Sequence, residues 1–265
     1  MTELILSELA LYPVKSCAQV RVGTLRIDRF GPHRDRRWML VDGNNRFLTQ
    51  RKLGRMCLIR PELTNDGIVL HAPDMPALGV TRPGTGTRRL VRVWEDHCDA
   101  LDAGDAAADW LSRFLSTECR LVYFPEEGIR AVDPAYARSD DLTAFSDGFP
   151  FLLIGQASLD DLNRRLETPL PMARFRPNLV VAGGEPYAED GWRRIRIGAM
   201  TFRVVKPCSR CVIPTIDLAT GERGVEPTRT LATYRKRDNR IYFGQNVIAD
   251  GEGELQAGMP VEVLE

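Results

Sequence analysis

Short apolar runs divided by Asn/Asp-Gly turns recur through the first 95 residues, and that spacing leaves few folds open. Leu4-Ile5-Leu6 and Leu9-Ala10-Leu11 come first, and Val20 to Ile27 alternates apolar with polar residues. Trp38-Met39-Leu40-Val41 is followed by the Asp42-Gly43-Asn44-Asn45 turn and Arg46-Phe47-Leu48-Thr49. Cys57-Leu58-Ile59, Gly67-Ile68-Val69-Leu70 and Leu90 to Trp94 continue the series, with Asn65-Asp66-Gly67 as a further turn and Arg82 to Thr87 as a loop. Runs too short for helices at this spacing predict a small barrel or sandwich.

From Asp102 the pattern changes. Gly104 to Ser116 puts Trp110, Leu111, Phe114 and Leu115 on one face at helical spacing. Arg120 to Phe124 reads as a strand, and the polar stretch Pro125 to Leu142 is long enough to suggest a loop lying over a functional surface. Phe151 to Ile154, Leu179 to Ala182, Arg194 to Ile197, Thr201 to Val205, Ile241 to Phe243 and Val261 to Val263 read as strands. Helices are expected at Ser158 to Leu166, with Ser158 as N-cap, and at Thr228 to Lys236. The fold class is therefore mostly β with a few packed helices, an α+β chain.

Lys+Arg and Asp+Glu both number 36, so net charge is zero. That balance argues against a dedicated nucleic-acid binder, which draws its affinity from a basic surface. No apolar run approaches the roughly 18 residues needed to cross a bilayer. The N-terminus is acidic where a secretory signal is positive. A cytoplasmic protein without a membrane partner is the expectation. The six cysteines include four scattered singly, which argues against a disulfide framework.

Only Cys208 and Cys211, in Cys208-Ser209-Arg210-Cys211, form a close pair. Structural zinc needs two more Cys or His ligands at suitable spacing, and His33, His71 and His97 sit far upstream. A thioredoxin-like pair needs a following helix, whereas Val212-Ile213-Pro214-Thr215-Ile216-Asp217 reads as extended. One cysteine as a thiolate ligand or nucleophile, kept ionised by Arg210 and Lys206, stays open beside two small residues at a strand end.

Other polar groups stand at strand ends, where small-molecule sites form on a rigid scaffold. Lys15-Ser16, behind Pro13, offers an ammonium, a hydroxyl and free backbone N–H groups suited to a phosphate. Arg34-Asp35-Arg36-Arg37 precedes an apolar strand. Arg176, between Phe175 and Pro177-Asn178-Leu179, needs a buried acceptor or an anionic ligand. Ser146-Asp147-Gly148 lies at the mouth of another buried strand, where glycine lets a ligand approach the backbone.

Taken in order, seven motifs resemble one family. They are Tyr12 to Cys17, Asp35-Arg36-Arg37-Trp38, Phe145-Ser146-Asp147-Gly148, Ala157 to Asn163, Phe175-Arg176-Pro177-Asn178, Tyr187 to Trp192 and Cys208 to Cys211. The chain resembles MOSC-domain proteins with a MOSC N-terminal β-barrel, in the branch of the mitochondrial amidoxime-reducing components. The resemblance runs over nearly the whole chain. It implies a MOSC N-terminal β-barrel-like domain over residues 1–120 and a MOSC β-barrel domain over 121–265.

The resemblance also implies a molybdenum–pterin cofactor, with Cys211 as the protein's sulfur ligand to the metal. By motif, Lys15, Ser16 and Arg36 are expected to meet its phosphate and pterin. Asp147, Gly148, Arg176, Asn178, Ser209 and Arg210 are expected to complete the pocket, with Asn246 approaching it. Asp217 matches an acid near the metal's open face, a candidate proton relay. The implied reaction is two-electron reduction of small N-hydroxylated substrates to amines. No Cys-x4-Cys-x2-Cys pattern for an iron–sulfur cluster is present. Electrons are therefore expected from a separate ferredoxin- or cytochrome-type partner. Other MOSC domains accompany cofactor sulfurases, so a carrier or sulfur-transfer module with a persulfide on Cys211 is the alternative.

Overall fold

The computed structural model describes residues 3–265. Strands dominate, and α-helices are confined to α1 (Asp105–Leu115), α2 (Gln156–Arg164) and α3 (Thr228–Ala232). The largest sheet has nine strands. Eight run in the order Val261–Val263, Arg194–Ile197, Met200–Ser209, Arg240–Ala249, Phe151–Gly155, Leu179–Ala182, Ile5–Leu11 and Val20–Val22, and Lys236–Arg237 pairs off Arg240–Ala249. Trp38–Val41, Arg120–Tyr123, Asp96–Asp102 and Arg88–Val93 make a four-stranded sheet, in that order. Two three-stranded sheets complete the chain, one of them joining Gly253–Gln256 to Thr24–Asp28.

Hydrogen bonding crosses the 120/121 division. Ile5–Leu11 runs antiparallel beside Leu179–Ala182, with a register shift between Leu6 and Glu8. The sequence shows this strand as two runs because the bulge at Ser7 interrupts it. The Ser7 hydroxyl donates to the Val180 carbonyl at 3.1 Å.

Burial explains the elements. Trp38–Val41 is apolar at every position because both its faces are covered. Trp38 and Leu40 point into a core with Trp110, Leu111 and Phe114 of α1, while Met39 and Val41 point into another with Phe124 and Phe145. The strands Leu78–Thr81 and Asp96–Asp102 escape the sequence reading. In the second, Asp96, Asp99 and Asp102 break up the apolar pattern around buried Cys98 and Ala100.

Two helix expectations are corrected. The second helix starts at Gln156 with Gly155 as N-cap, and Ser158 lies inside it. A buried carboxylate claims the Ser158 hydroxyl, which sits 2.8 and 2.9 Å from the two Glu189 oxygens. The third helix ends at Ala232, not Lys236. Lys236 instead enters a hairpin against Ile241, turned by Asp238 and Asn239, both in the left-handed region.

Gly244 couples this scaffold to the site that follows. Its φ is +81°, and a Cβ there would meet Ile154 Cγ1 at 2.7 Å and the Leu153 carbonyl oxygen at 2.9 Å. Gly244→Ala is expected to destabilise the protein by about 2–3 kcal/mol, read as a lowered urea midpoint. An unchanged midpoint would show that the strand shifts to accept the methyl.

Candidate functional site

The strand ends converge on one cleft of about 1050 Å³. Its wall includes Lys15, Ser16, Arg36, Asp147, Gly148, Arg176, Asn178, Ser209, Arg210, Cys211 and Asn246, which arrive from six separate stretches of chain. Ile129 to Pro134, from the long polar loop, form another part of the wall. Among the described residues, seven lysines and arginines face four carboxylates there.

Four wall residues that are not glycine hold left-handed backbone: Ser16 (φ 68°), Arg36 (φ 45°), Trp94 (φ 57°) and Arg176 (φ 61°). Such conformations persist only where the surroundings over-determine them, and they cluster at functional sites. Here the clamp is Tyr12, fully buried, with the Arg36 guanidinium 4.3 Å and that of Arg176 4.2 Å from its ring. Burial pushes the Tyr12 hydroxyl up to about 12 despite the two cations. Asn178 locks the arrangement. Its amide nitrogen donates to the Ala10 carbonyl and the Asp35 carboxylate at 3.0 and 3.1 Å, and its oxygen accepts from Arg36 at 3.0 Å.

Arg36 has a carboxylate partner, Asp35, at 2.5 Å. Arg176 has none among the described residues. Its Nη1 donates to the Cys17 carbonyl at 2.6 Å, and burial pushes its guanidinium down to about 10, with Arg36 adding to the effect. The Arg210 Nε is buried without any partner, while its Nη2 donates to the Phe175 carbonyl at 2.8 Å. A Cβ at Gly148 would meet nothing within 4 Å.

Lys15 is buried and donates to the Phe145 carbonyl at 2.6 Å and to Asp147 at 2.5 Å. Burial pushes its ammonium down to about 8. Burial alone would push the Asp147 carboxyl up, but Lys15 and Arg51 outweigh it and hold the group well below the ordinary carboxylate range. A carboxyl depressed in the folded state stabilises above its unfolded value, near pH 4, and loses that contribution as pH falls. Asp147→Asn is therefore expected to lower stability by about 1 kcal/mol at pH 7, discounted for a half-exposed side chain. Denaturant midpoints at pH 7 and pH 3 test this, because the deficit should shrink at the lower pH.

Cys211 lines the cleft, and the Ile213 N–H points at its sulfur from 3.5 Å. Arg51 approaches the same sulfur while its Nη2 donates to Asp147 at 2.7 Å, and it stacks 4.8 Å over Trp94. Cys208 also lines the cleft and accepts from Arg210 at 3.1 Å. The other four cysteines are buried, and burial pushes their thiols up, Cys17 to about 12 and Cys98 to about 11.

Asp217 is not brought to the cleft wall. Its Oδ2 accepts from Arg174, in the Met172–Arg174 turn, at 2.8 Å, and its Oδ1 from the Ala219 N–H at 2.8 Å, so one oxygen is held by that turn and the other by its own loop. Arg51, Trp94, Arg130 and Lys206 line the cleft without having been singled out as site residues. Of these, residue order points to Lys206 alone, as a neighbour of the cysteine pair.

Residues 3–118 match the MOSC N-terminal beta barrel domain and residues 140–262 match the MOSC domain. Mitochondrial amidoxime-reducing component 1 of Mus musculus is 35% identical over 278 residues, which is 97% of this chain and 82% of that protein. The chain belongs to the MOSC-domain family of the amidoxime-reducing components. Its human relative of the same name is 35% identical over 279 residues, with the same coverage. Molybdenum cofactor sulfurase 2 of Culex quinquefasciatus is 33% identical over 98% of this MOSC protein, but only 37% of the sulfurase is matched. Both MOSC segments contribute to the cleft, Lys15, Ser16, Arg36 and Arg51 from the first and the CSRC segment from the second.

Proposed function

We propose that the cleft holds a molybdenum–pterin cofactor through Cys211 and that the protein reduces N-hydroxylated compounds to amines with electrons from a separate donor. The observation carrying this reading is that Cys211 shares one cleft wall with Arg176, which has no carboxylate partner among the described residues, and with Arg210, whose buried Nε has no partner. Among the described residues no group of three or more His, Cys, Asp or Glu could hold a metal ion. A metal here therefore takes one thiolate from the chain and its remaining donors from the molecule that brings it.

The residues fit such a molecule. Lys15, Arg36 and Arg176 offset a buried phosphate, and the orphaned Arg210 Nε offers a donor to a polar ring edge. The space beside Gly148 admits a ligand close to the backbone. Bound there, the cofactor supplies the two-electron redox chemistry. The chain's own part is to hold the thiolate with the Ile213 N–H and Arg51, to keep the phosphate desolvated, and to orient the substrate at the cleft mouth.

The sulfurase relative supports a second reading, in which Cys211 carries a persulfide. Co-expression with an intact pterin pathway, followed by metal analysis of freshly purified protein, separates the two. About one molybdenum per chain is expected, and it should be lost in Cys211→Ser. A chain without molybdenum whose intact mass is one sulfur atom heavier, with the excess absent in Cys211→Ser, would favour sulfur transfer.

A further inference from the structure

The hairpin Lys236–Arg240 lies outside the cleft wall, and every one of its residues is exposed. It carries Lys236, Arg237 and Arg240 against a single carboxylate, Asp238. None of these three cations makes an ion pair among the described residues, whereas arginines elsewhere engage carboxylates such as Asp102, Asp161 and Asp250. Arg237 and Arg240 stand directly opposite each other across the hairpin. Like charges in that register destabilise a strand pair. An anionic partner would relieve the repulsion.

The root of the hairpin leads to the site. Arg240–Ala249 pairs with Met200–Ser209, with Tyr242 opposite Ser209. The Arg210 N–H donates to the Ile241 carbonyl at 2.7 Å. Arg240 is thus one residue, one hydrogen bond and one further residue from Cys211. Covalent and hydrogen bonds join this face to the sulfur, and none of the hairpin residues lines the cleft.

We propose that this hairpin is the docking surface for an acidic protein that carries one electron at a time, an inference that rests on the redox function above. Reduction of R–NHOH to R–NH2 and water consumes two electrons and two protons, so the carrier must dock, deliver and leave twice per turnover. A small, charge-steered contact suits fast arrival and fast departure.

The test uses cofactor-loaded protein with two reductants, a reduced plant-type [2Fe–2S] ferredoxin as the acidic carrier and reduced methyl viologen as the small donor. The triple variant Lys236→Glu, Arg237→Glu, Arg240→Glu is expected to raise the KM for ferredoxin about tenfold or more and to flatten its salt dependence. Its rate with viologen should stay that of the wild type. The Gln triple variant should fall between. An unchanged ferredoxin KM in the Glu variant overturns the proposal. Calorimetric titration of ferredoxin into the cofactor-free chain keeps the two readings apart. Binding lost in the triple variant supports the hairpin even where viologen drives no reduction, a result that counts against the redox function alone. Binding to phosphatidylserine vesicles that is lost in the variant, with ferredoxin binding unchanged, would assign the hairpin to an anionic lipid surface and overturn the proposal.

Discussion

Cys211→Ser should cut reduction of a benzamidoxime-type substrate by an artificial donor on the order of a thousandfold, about 4 kcal/mol of transition-state stabilisation. Serine keeps nearly the same volume and still accepts from the Ile213 N–H, so the fold has little reason to change. The loss would come from replacing a soft thiolate by a hydroxyl that stays protonated at neutral pH. Melting temperatures matched to within a degree or so would confirm that only the chemistry had been touched. Cys208→Ser should keep activity within a few-fold, because that sulfur's recorded side-chain partner is Arg210, itself anchored to the Phe175 carbonyl. Equal losses in both variants would mean that the pair acts together, and the choice of Cys211 would be wrong.

Arg176→Met is expected to separate stability from cofactor retention. The wild-type guanidinium is partly buried beside Arg36 with a carbonyl as its hydrogen-bond acceptor, which is unfavourable without an anion. Replacing a buried charge by an apolar side chain of similar volume is often neutral or stabilising. The cofactor-free variant should therefore melt at the wild-type temperature or a few degrees above it, even though methionine inherits the same left-handed backbone. Molybdenum content after co-expression should fall by about tenfold or more, since a charge-assisted contact to phosphate is gone. A variant that melts several degrees lower while keeping its molybdenum would make Arg176 a structural residue.

Much of this was legible from residue order. Apolar period and turn chemistry locate strands such as Trp38–Val41 and the helix carrying Trp110 and Phe114, because their burial is dense enough to dominate composition. Polar groups at strand ends mark Lys15, Arg36, Asp147 and Arg176, and the cleft contains all four. Arg51 was invisible because nothing local distinguishes Gln50-Arg51-Lys52 from a solvated turn. Its meaning comes from Asp147 and Trp94, both distant in sequence. Asp217 runs the other way, expected from its motif near the metal's open face but lying outside the cleft wall with its carboxylate on Arg174. Ser158 had the right chemistry for a cap, and a buried glutamate 31 residues away outbid the helix end for its hydroxyl.

The antiparallel seam between Ile5–Leu11 and Leu179–Ala182 bears on how the chain is made. The Ser7 hydroxyl and the Val180 carbonyl it meets are 173 residues apart. During synthesis the first strand leaves the ribosome long before its neighbour exists, and at about 5–20 residues per second the wait is roughly 10–35 s. For that interval Leu6 and Leu9, both buried in the finished molecule, have no native partner strand on that side. Slow, long-range pairing of this kind exposes a nascent chain to aggregation. Expression at reduced temperature, or with a holdase that covers the first strand, should therefore raise soluble yield more than any change near the cleft. The polar loop between Pro125 and Leu142 is the place to cut the gene if two separately made halves are to find each other, since its seam partners then meet as complete pieces.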